Sequence, residues 1–245
     1  MNKVIKLLQS HRSIRSFKDK KIPYPLLMDI ISAGQSAATS SLIQATSIIR
    51  VTDRTLRKGL CEVGGGQSYI EKAPEFLVFC ADLNRASTCC EYYNQVPVEG
   101  MTEHFIIGTV DAALVAQNVV IAAESSDLGI CYIGALRNNP SKVCELLNIP
   151  KNVYPVFGLC IGYPDQDPEI KPRLPVEVLL KENTYDASTE GEFIKKYDED
   201  LSRYHATRTV NKKISVWSKQ MSDKLSTESR AHMKTFLTDR GFLKR

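Results

Sequence analysis

The sequence predicts one domain that mixes helices with short buried strands, and three observations point there. Residues 76–81 (Phe-Leu-Val-Phe-Cys-Ala) and 156–162 are brief, nearly continuous apolar runs bounded by turn residues, the pattern of strands covered on both faces. Between them, residues 101–127 carry one long helical pattern through Ile106, Val110, Ala113, Leu114, Gln117, Val120, Ile121 and Glu124. Apolar residues occupy nearly all of its faces, which predicts a helix buried all round, central to the domain or to a dimer interface. No internal repeat, low-complexity tract or clean linker divides the 245 residues, so the whole chain reads as a single domain with a mainly helical segment from 190 to 245.

The elements follow in order. Residues 3–10 read as a helix. Pro25 suits the first turn of a second helix through Ser36, with Leu26, Leu27, Ile30, Ile31 and Ala33 facing inward. A small, hydroxyl-rich tract follows, Ala37-Ala38-Thr39-Ser40-Ser41, and then a strand over 47–51. Asp53 caps a helix running to Val63, and Gly64-Gly65-Gly66 ends it; without a following lysine this is a C-cap and turn rather than a phosphate loop. Residues 84–100 read as irregular. Gly129 ends the long helix, a short strand spans 131–135, and Asn139 with Pro140 starts another helix. The prolines of 165–175 (DQDPEIKPRLP) stiffen an extended segment that holds Lys171 and Arg173 on one side. The last helices are placed at 190–204, 214–225 and 229–240.

Composition excludes several classes. No apolar run reaches the roughly 18 residues of a membrane span, because Asp111, Gln117 and Asn118 interrupt the longest one, and no stretch at the N-terminus has the parts of a signal peptide. Seven scattered cysteines form no CxxC and sit mostly in apolar runs, which predicts reduced, buried thiols and a cytoplasmic protein. Residues 203–245 hold eleven of the 32 Lys and Arg and only three of the 28 Asp and Glu, net +8, leaving the remainder at −4. Such a segment suits an anionic partner. Nucleic acid fits it poorly, since the charges interleave with Ile214, Trp217, Met221 and Leu225 and no aromatic stacking platform accompanies them.

Familiar catalytic templates are missing: there is no GxSxG, HExxH or GxGxxG after a strand, and His11, His104, His205 and His232 are too dispersed to form a metal set. What remains is His11-Arg12-Ser13-Ile14-Arg15, two arginines, a histidine and a serine where a helix gives way to extended chain. Taken alone it reads first as a solvated basic turn and only second as an anion site, guanidinium groups being bidentate partners of phosphate. Together with Lys171 and Arg173 and the small-residue segments at 39–41, 64–66 and 134–135, it suits a phosphorylated planar cofactor that carries its own chemistry.

The chain resembles the FMN-dependent nitroreductase superfamily, in its oxygen-insensitive NADPH nitroreductase / NADPH-flavin oxidoreductase branch. The matching stretches are HRSIRSF at 11–17, TSS at 39–41, GQSY at 66–69, EFLVFCAD at 75–82, DAALVAQNVVIAAES at 111–125, GICYIGALRNN at 129–139 and FGLCIGYPDQDPEIKPRLP at 157–175. The resemblance implies an α+β fold, a three-layer α-β-α sandwich whose central mixed sheet is flanked by helices, in an intertwined homodimer with FMN at the interface. It assigns His11, Arg12, Ser13 and Arg173 to the FMN phosphate and ribityl chain, and Arg15 and Lys171 to the flavin N1/O2 edge. Thr39, Ser40, Ser41, Ile43 and Gln67 would line the ring, some from the partner chain, and Tyr132, Ile133 and Gly134 would pack on it. Arg208, helped by Lys213, would recognise the NADPH 2′-phosphate. The implied activity is hydride transfer from NADPH to FMN, then two electrons to nitroaromatics, quinones or free flavin; a dedicated flavin reductase and a non-catalytic FMN-binding redox sensor are the alternatives. Thr39 replaces the family's usual serine, and Ala135 stands where a second glycine is common, a crowding risk if that position needs a positive φ.

Overall fold

The computed structural model describes residues 2–207 and 216–245. The chain forms two compact units, Met1–Pro168 with His232–Arg245, and Glu169–Ala231.

In the first unit, helices α1 (Lys3–Gln9) and α2 (Tyr24–Gln35) precede strand β1 (Thr46–Arg50), helix α3 (Arg54–Val63), the single turn α4 (Tyr69–Lys72) and strand β2 (Glu75–Asp82). Helices α5 (Asn84–Tyr92) and α6 (Thr102–Glu124), strand β3 (Gly129–Ile133), helix α7 (Pro140–Leu146) and strand β4 (Val153–Gly162) follow. The strands form one sheet in the order β1-β2-β4-β3, and every pairing between them is antiparallel. Among the described residues the one parallel pairing is the isolated bridge Ser13–Ile130, so the mixture of strand directions that the resemblance implied is confined to that bridge.

Successive side chains of β2 point to opposite faces, and both faces are covered, which is why its sequence is apolar from Phe76 to Ala81. Phe76, Val78 and Cys80 join Leu60, Ile70, Leu136 and Phe242 in one half of the core. Leu77 and Phe79 join Ile30, Leu27, Val119, Val120 and Ile161 under α2 and α6 in the other. The three layers are as expected. Close approach of α2 to α6 requires Gly34, where a Cβ would stand 2.4 Å from Val119 Cγ2.

Asp53 caps α3 and Asn139 caps α7 through their side chains, as the sequence predicts. Gly65 and Gly66 take φ of 73° and 75°, confirming a glycine turn after α3. Four local expectations are corrected. Residues 84–92 are helical, not irregular; α5 buries no residue, so it lacks the apolar period that betrays a helix. The left-handed residue that ends α6 is Asp127 (φ 58°), not Gly129, which opens β3 instead. Strand β3 covers 129–133, and 134–138 form a 3₁₀ turn. Strand β4 starts at Val153 and runs through Pro155, whose missing N–H falls beside the register shift between Phe79 and Cys80.

The long helix is not buried all round. Gly108, Asp111, Ala112, Ala116, Val119, Val120 and Ala123 face the unit's interior, while Ile106, Val110 and Leu114 are 48%, 49% and 42% exposed. By length and composition α6 is apolar enough to cross a membrane, its charged residues notwithstanding; its inner side packs on the sheet and α2. The chain returns to this unit at its end, where helix α11 (Met233–Arg240) begins four residues later than predicted and Phe236, Leu237 and Phe242 enter the core.

The second unit contains the single turn α8 (Val176–Leu179) and helices α9 (Glu190–Thr207) and α10 (Trp217–Leu225). Tyr197 and Trp217 meet edge to face at 5.9 Å, and Asp198 accepts hydrogen bonds from the Ser218 amide and hydroxyl.

Candidate functional site

The stretch 11–17 is extended and tied to the sheet at both ends. Ile14 N donates to Ile130 O at 2.8 Å, Lys18 N donates to Tyr163 O at 2.9 Å, and Phe17 bridges to Pro164. Ile14 is buried, so its two neighbours in the extended chain, Ser13 and Arg15, turn to the opposite face, Ser13 half-buried and Arg15 exposed. Gly129 is needed for this seating, because a Cβ there would lie 2.5 Å from Ile14 Cγ1.

Each basic side chain of the stretch is oriented differently. His11 Nδ1 lies 2.6 Å from Glu124 Oε1 at the end of α6. Arg12 pairs with Asp167 and donates to Pro168 O at 3.3 Å. With Arg12 at 37% and Asp167 at 86% side-chain exposure, that ion pair is worth about 0–1 kcal/mol, so an incoming phosphate can displace the carboxylate. Arg15 is exposed; its guanidinium opposes the upward push that burial, and then the neighbouring Cys131, exert on the Tyr69 phenol pKa. Tyr69 OH in turn donates to Gln67 Oε1 at 2.6 Å. Arg15, Tyr69 and Gln67 therefore form one polar group beside β3.

Tyr132, at the end of β3, is 36% exposed and packs edge to face on Phe157 at 5.1 Å. Burial, reinforced by the Glu124 carboxylate, pushes its phenol up to about 12, so it stays neutral across physiological pH. Ile133 is 1% exposed and belongs to the core. Gly134 is half-buried beside the Arg137 guanidinium, 3.1 Å from where its Cβ would be. Ala135 is absent from the left-handed region, so the feared crowding lacks its premise.

Thr39, Ser40, Ser41 and Ile43 lie in a loop organised by Asp111, a carboxylate 2% exposed in the middle of α6. It accepts from Thr39 Oγ1 at 2.5 Å, Ser40 N at 3.2 Å and Ala45 N at 3.0 Å. Ser41, Leu42 and Gln44 have φ of 46°, 56° and 52°, conformations that cost an L-residue about 1–2 kcal/mol each. Asp111 and Glu124 are thirteen residues apart on one helix, about 20 Å at roughly 1.5 Å per residue. Within one chain, then, residues 11–15, Gln67 and Tyr132 come together, and the 39–43 loop stands about 20 Å from Glu124, beside the middle of α6.

In the second unit Lys171 and Arg173 are exposed, and Arg173 Nη1 donates to Lys171 O at 2.8 Å. Tyr197 OH donates to Pro172 O at 3.0 Å, pinning the residue between them to α9. Arg208 and Lys213 lie outside the described residues. Sequence reasoning missed Asp111, Glu124 and Tyr69 as organisers. The signal for Asp111 was available: a lone carboxylate inside an apolar helical run needs donors from elsewhere. The cysteines offer no nucleophile in the core, burial pushing Cys61 up to about 11 and Cys80, Cys131, Cys144 and Cys160 upward as well.

The donor set fits FMN: outward hydroxyl and guanidinium groups on a fixed strand for a phosphate, and an amide–phenol–guanidinium group for the polar edge of a flavin. Matched against families of known proteins, residues 8–163 fit the Nitroreductase family and residues 171–245 the Nitroreductase family, C-terminal domain. The NADPH-flavin oxidoreductase of Vibrio harveyi is 44% identical over 245 residues, covering 100% of both chains. The oxygen-insensitive NADPH nitroreductase of Salmonella typhimurium is 42% identical, again over 100% of both. Among solved structures, the NADPH:FMN oxidoreductase from Vibrio harveyi complexed with NAD+ superposes with a TM-score of 0.91 at 41% identity, covering 100% of each chain.

Proposed function

The chain belongs to the nitroreductase family, and from that premise we propose that it is an FMN-containing, NADPH-dependent oxidoreductase passing two electrons to nitroaromatics, quinones or free flavin. The observation that carries the reading is the outward, sheet-anchored cationic strand 11–15 facing Gln67 and Tyr69. FMN, when bound, supplies the chemistry, taking hydride from NADPH and giving two electrons to a second substrate.

The protein's own groups bind and tune. Arg12, Ser13 and His11 hold the phosphate and ribityl chain, with Glu124 orienting the His11 ring. Arg15, beside Tyr69 and Gln67, puts positive charge at the N1/O2 edge, where negative charge develops on reduction. Tyr132 and Gly134 lie against the ring, and Ile133 holds that segment in the core. The motif assigns Arg173 to the phosphate, Lys171 to the flavin edge, and Arg208 with Lys213 to the NADPH 2′-phosphate; these assignments rest on the sequence alone. No side chain is asked to move a proton.

The 39–43 loop belongs to the site of a second copy. Two observations support a homodimer of this kind: the roughly 20 Å of α6 between Asp111 and Glu124, and the exposed apolar stripe Ile106, Val110 and Leu114 along the same helix. NADPH and an acceptor would use one open face in turn, a ping-pong scheme, in the cytoplasm.

A visible absorption spectrum of the purified protein tests the cofactor, and NADPH consumption with nitrofurazone, a quinone and FMN in parallel tests the acceptors. Bound FMN with turnover is expected. A colourless protein that FMN cannot reconstitute overturns the reading, and stoichiometric NADPH oxidation without turnover assigns a redox sensor instead.

A further inference from the structure

We propose that Asp111 is a positioning residue, which holds the 39–45 loop in the shape in which it lines the flavin ring; the proposal rests on the FMN reading above. Asp111 is 2% exposed, and among the described residues its three hydrogen-bond donors all come from this one loop, from Thr39 and Ser40 at its start and Ala45 at its end. The Thr39 hydroxyl extends the clamp: it donates to Asp111 and accepts from Gln44 N at 2.9 Å. Both ends of the loop are thereby gripped from below, and its backbone is forced between them.

What lies between is left-handed at Ser41, Leu42 and Gln44, residues with no preference for that region. Loops that only need to turn use glycine or asparagine there. The product of the clamp is also not core: Ser40, Ser41, Leu42 and Gln44 are exposed, Leu42 at 74%. A buried carboxylate, three unusual backbone conformations and an outward-facing result are the signature of strain held for a surface that something else must fit. The occupant the proposed function supplies is the flat isoalloxazine.

Asp82 provides a matched comparison. It too is a shielded carboxylate, 9% exposed, accepting from Ser47 Oγ and from the Asn84 and Arg85 amides. Its donors are the first two amides of α5 and the Ser47 hydroxyl of β1, none of them left-handed, and its side chain meets the loop indirectly, through Arg85, which donates to Gln44 O at 3.0 Å.

The test compares FMN-loaded Asp111→Asn, Thr39→Val, Thr39→Ser, Asp82→Asn and Arg12→Ala enzymes by melting temperature, FMN dissociation constant and the flavin visible band. Asn keeps the shape of Asp111 but replaces one acceptor oxygen with a donor, so one side of the clamp opens. Asp111→Asn and Thr39→Val are expected to weaken FMN binding about tenfold or more and to alter the band; Thr39→Ser and Asp82→Asn should stay within about twofold, the scale of a lost hydrogen bond against a neutral change. Should Asp111→Asn fail to fold, Thr39→Val reads the same clamp. Asp111→Asn or Thr39→Val binding FMN normally while Arg12→Ala binds it weakly overturns the inference and spares the functional reading. Equal weakening by Asp82→Asn and Asp111→Asn also overturns it, because a general loss of stability then explains both. Normal binding by every variant, Arg12→Ala included, overturns the site reading and the inference with it.

Discussion

His11 Nδ1 and Glu124 Oε1 lie 2.6 Å apart, joining the start of the basic strand to the end of the longest helix. The carboxylate acceptor selects the Nδ1–H tautomer and fixes the ring, and among the described residues no hydrogen bond occupies Nε2. Replacing Glu124 with Leu removes the acceptor without leaving a buried donor at this half-buried position. FMN affinity should fall about tenfold, in line with a charge-assisted hydrogen bond of about 1.5–3 kcal/mol acting indirectly. In a fluorescence titration the double variant with His11→Ala should be no weaker than His11→Ala alone; additive losses would mean that the two residues act separately.

Arg12 and Arg15 stand three residues apart and should fail in different ways. Arg12→Ala should weaken FMN binding and leave the potential of the remaining bound flavin nearly unchanged. Arg15→Met should make that potential more negative by about 30 mV or more, the two-electron equivalent of about 1.4 kcal/mol. Spectroelectrochemical titration of both variants decides it, and identical shifts would remove the division of labour.

The distance between Asp111 and Glu124 predicts complementation between chains. Ser41 has φ of 46°, which a β-branched residue tolerates badly, so Ser41→Val should spoil the loop. A mixed dimer of one Arg12→Ala chain and one Ser41→Val chain should keep one intact site, binding one FMN per dimer at native affinity. Two weak sites would show that the loop serves its own chain.

Gly129 packs under Ile14 with no room for a methyl group. Gly129→Ala should cost about 1–3 kcal/mol, the usual penalty of overpacking, and should weaken FMN binding too because Ile14 carries the basic strand. At Gly191 a methyl group would have no neighbour within 4 Å, so Gly191→Ala should change stability by under about 0.5 kcal/mol. Urea midpoints of the two variants test the contrast.

Alkaline stability should decline in a defined window. Burial pushes the Tyr154 phenol up to about 12, opposed in part by Thr109, and pushes Tyr132 to about the same value. An unfolded tyrosine titrates near about 10. Between those values the unfolded chain has released protons that the folded chain retains, so stability is fully present below about pH 10 and is lost as pH rises toward about 12. Tyr154→Phe should flatten the fall of the urea midpoint between about pH 8 and about pH 11.5. An unchanged slope would place the effect elsewhere.

Local patterns were legible from the residues: the strand cores at 76–81 and 156–162, the Asp53 and Asn139 caps and the glycine turn at 64–66 all follow from side-chain period and backbone chemistry of neighbours in sequence. Helix α5 escaped because it buries no residue, leaving no apolar stripe to read. The basic strand was visible as a motif. Which atoms orient it was not visible: Glu124 reaches His11 across 113 residues, and Asp111 gathers Thr39, Ser40 and Ala45 across 66 to 72. A sequence encodes such partners only as isolated charges in apolar surroundings. The packing of α6 on the sheet and α2 decided which donors each carboxylate met, because burial obliges a charge to find the donors the fold brings within reach.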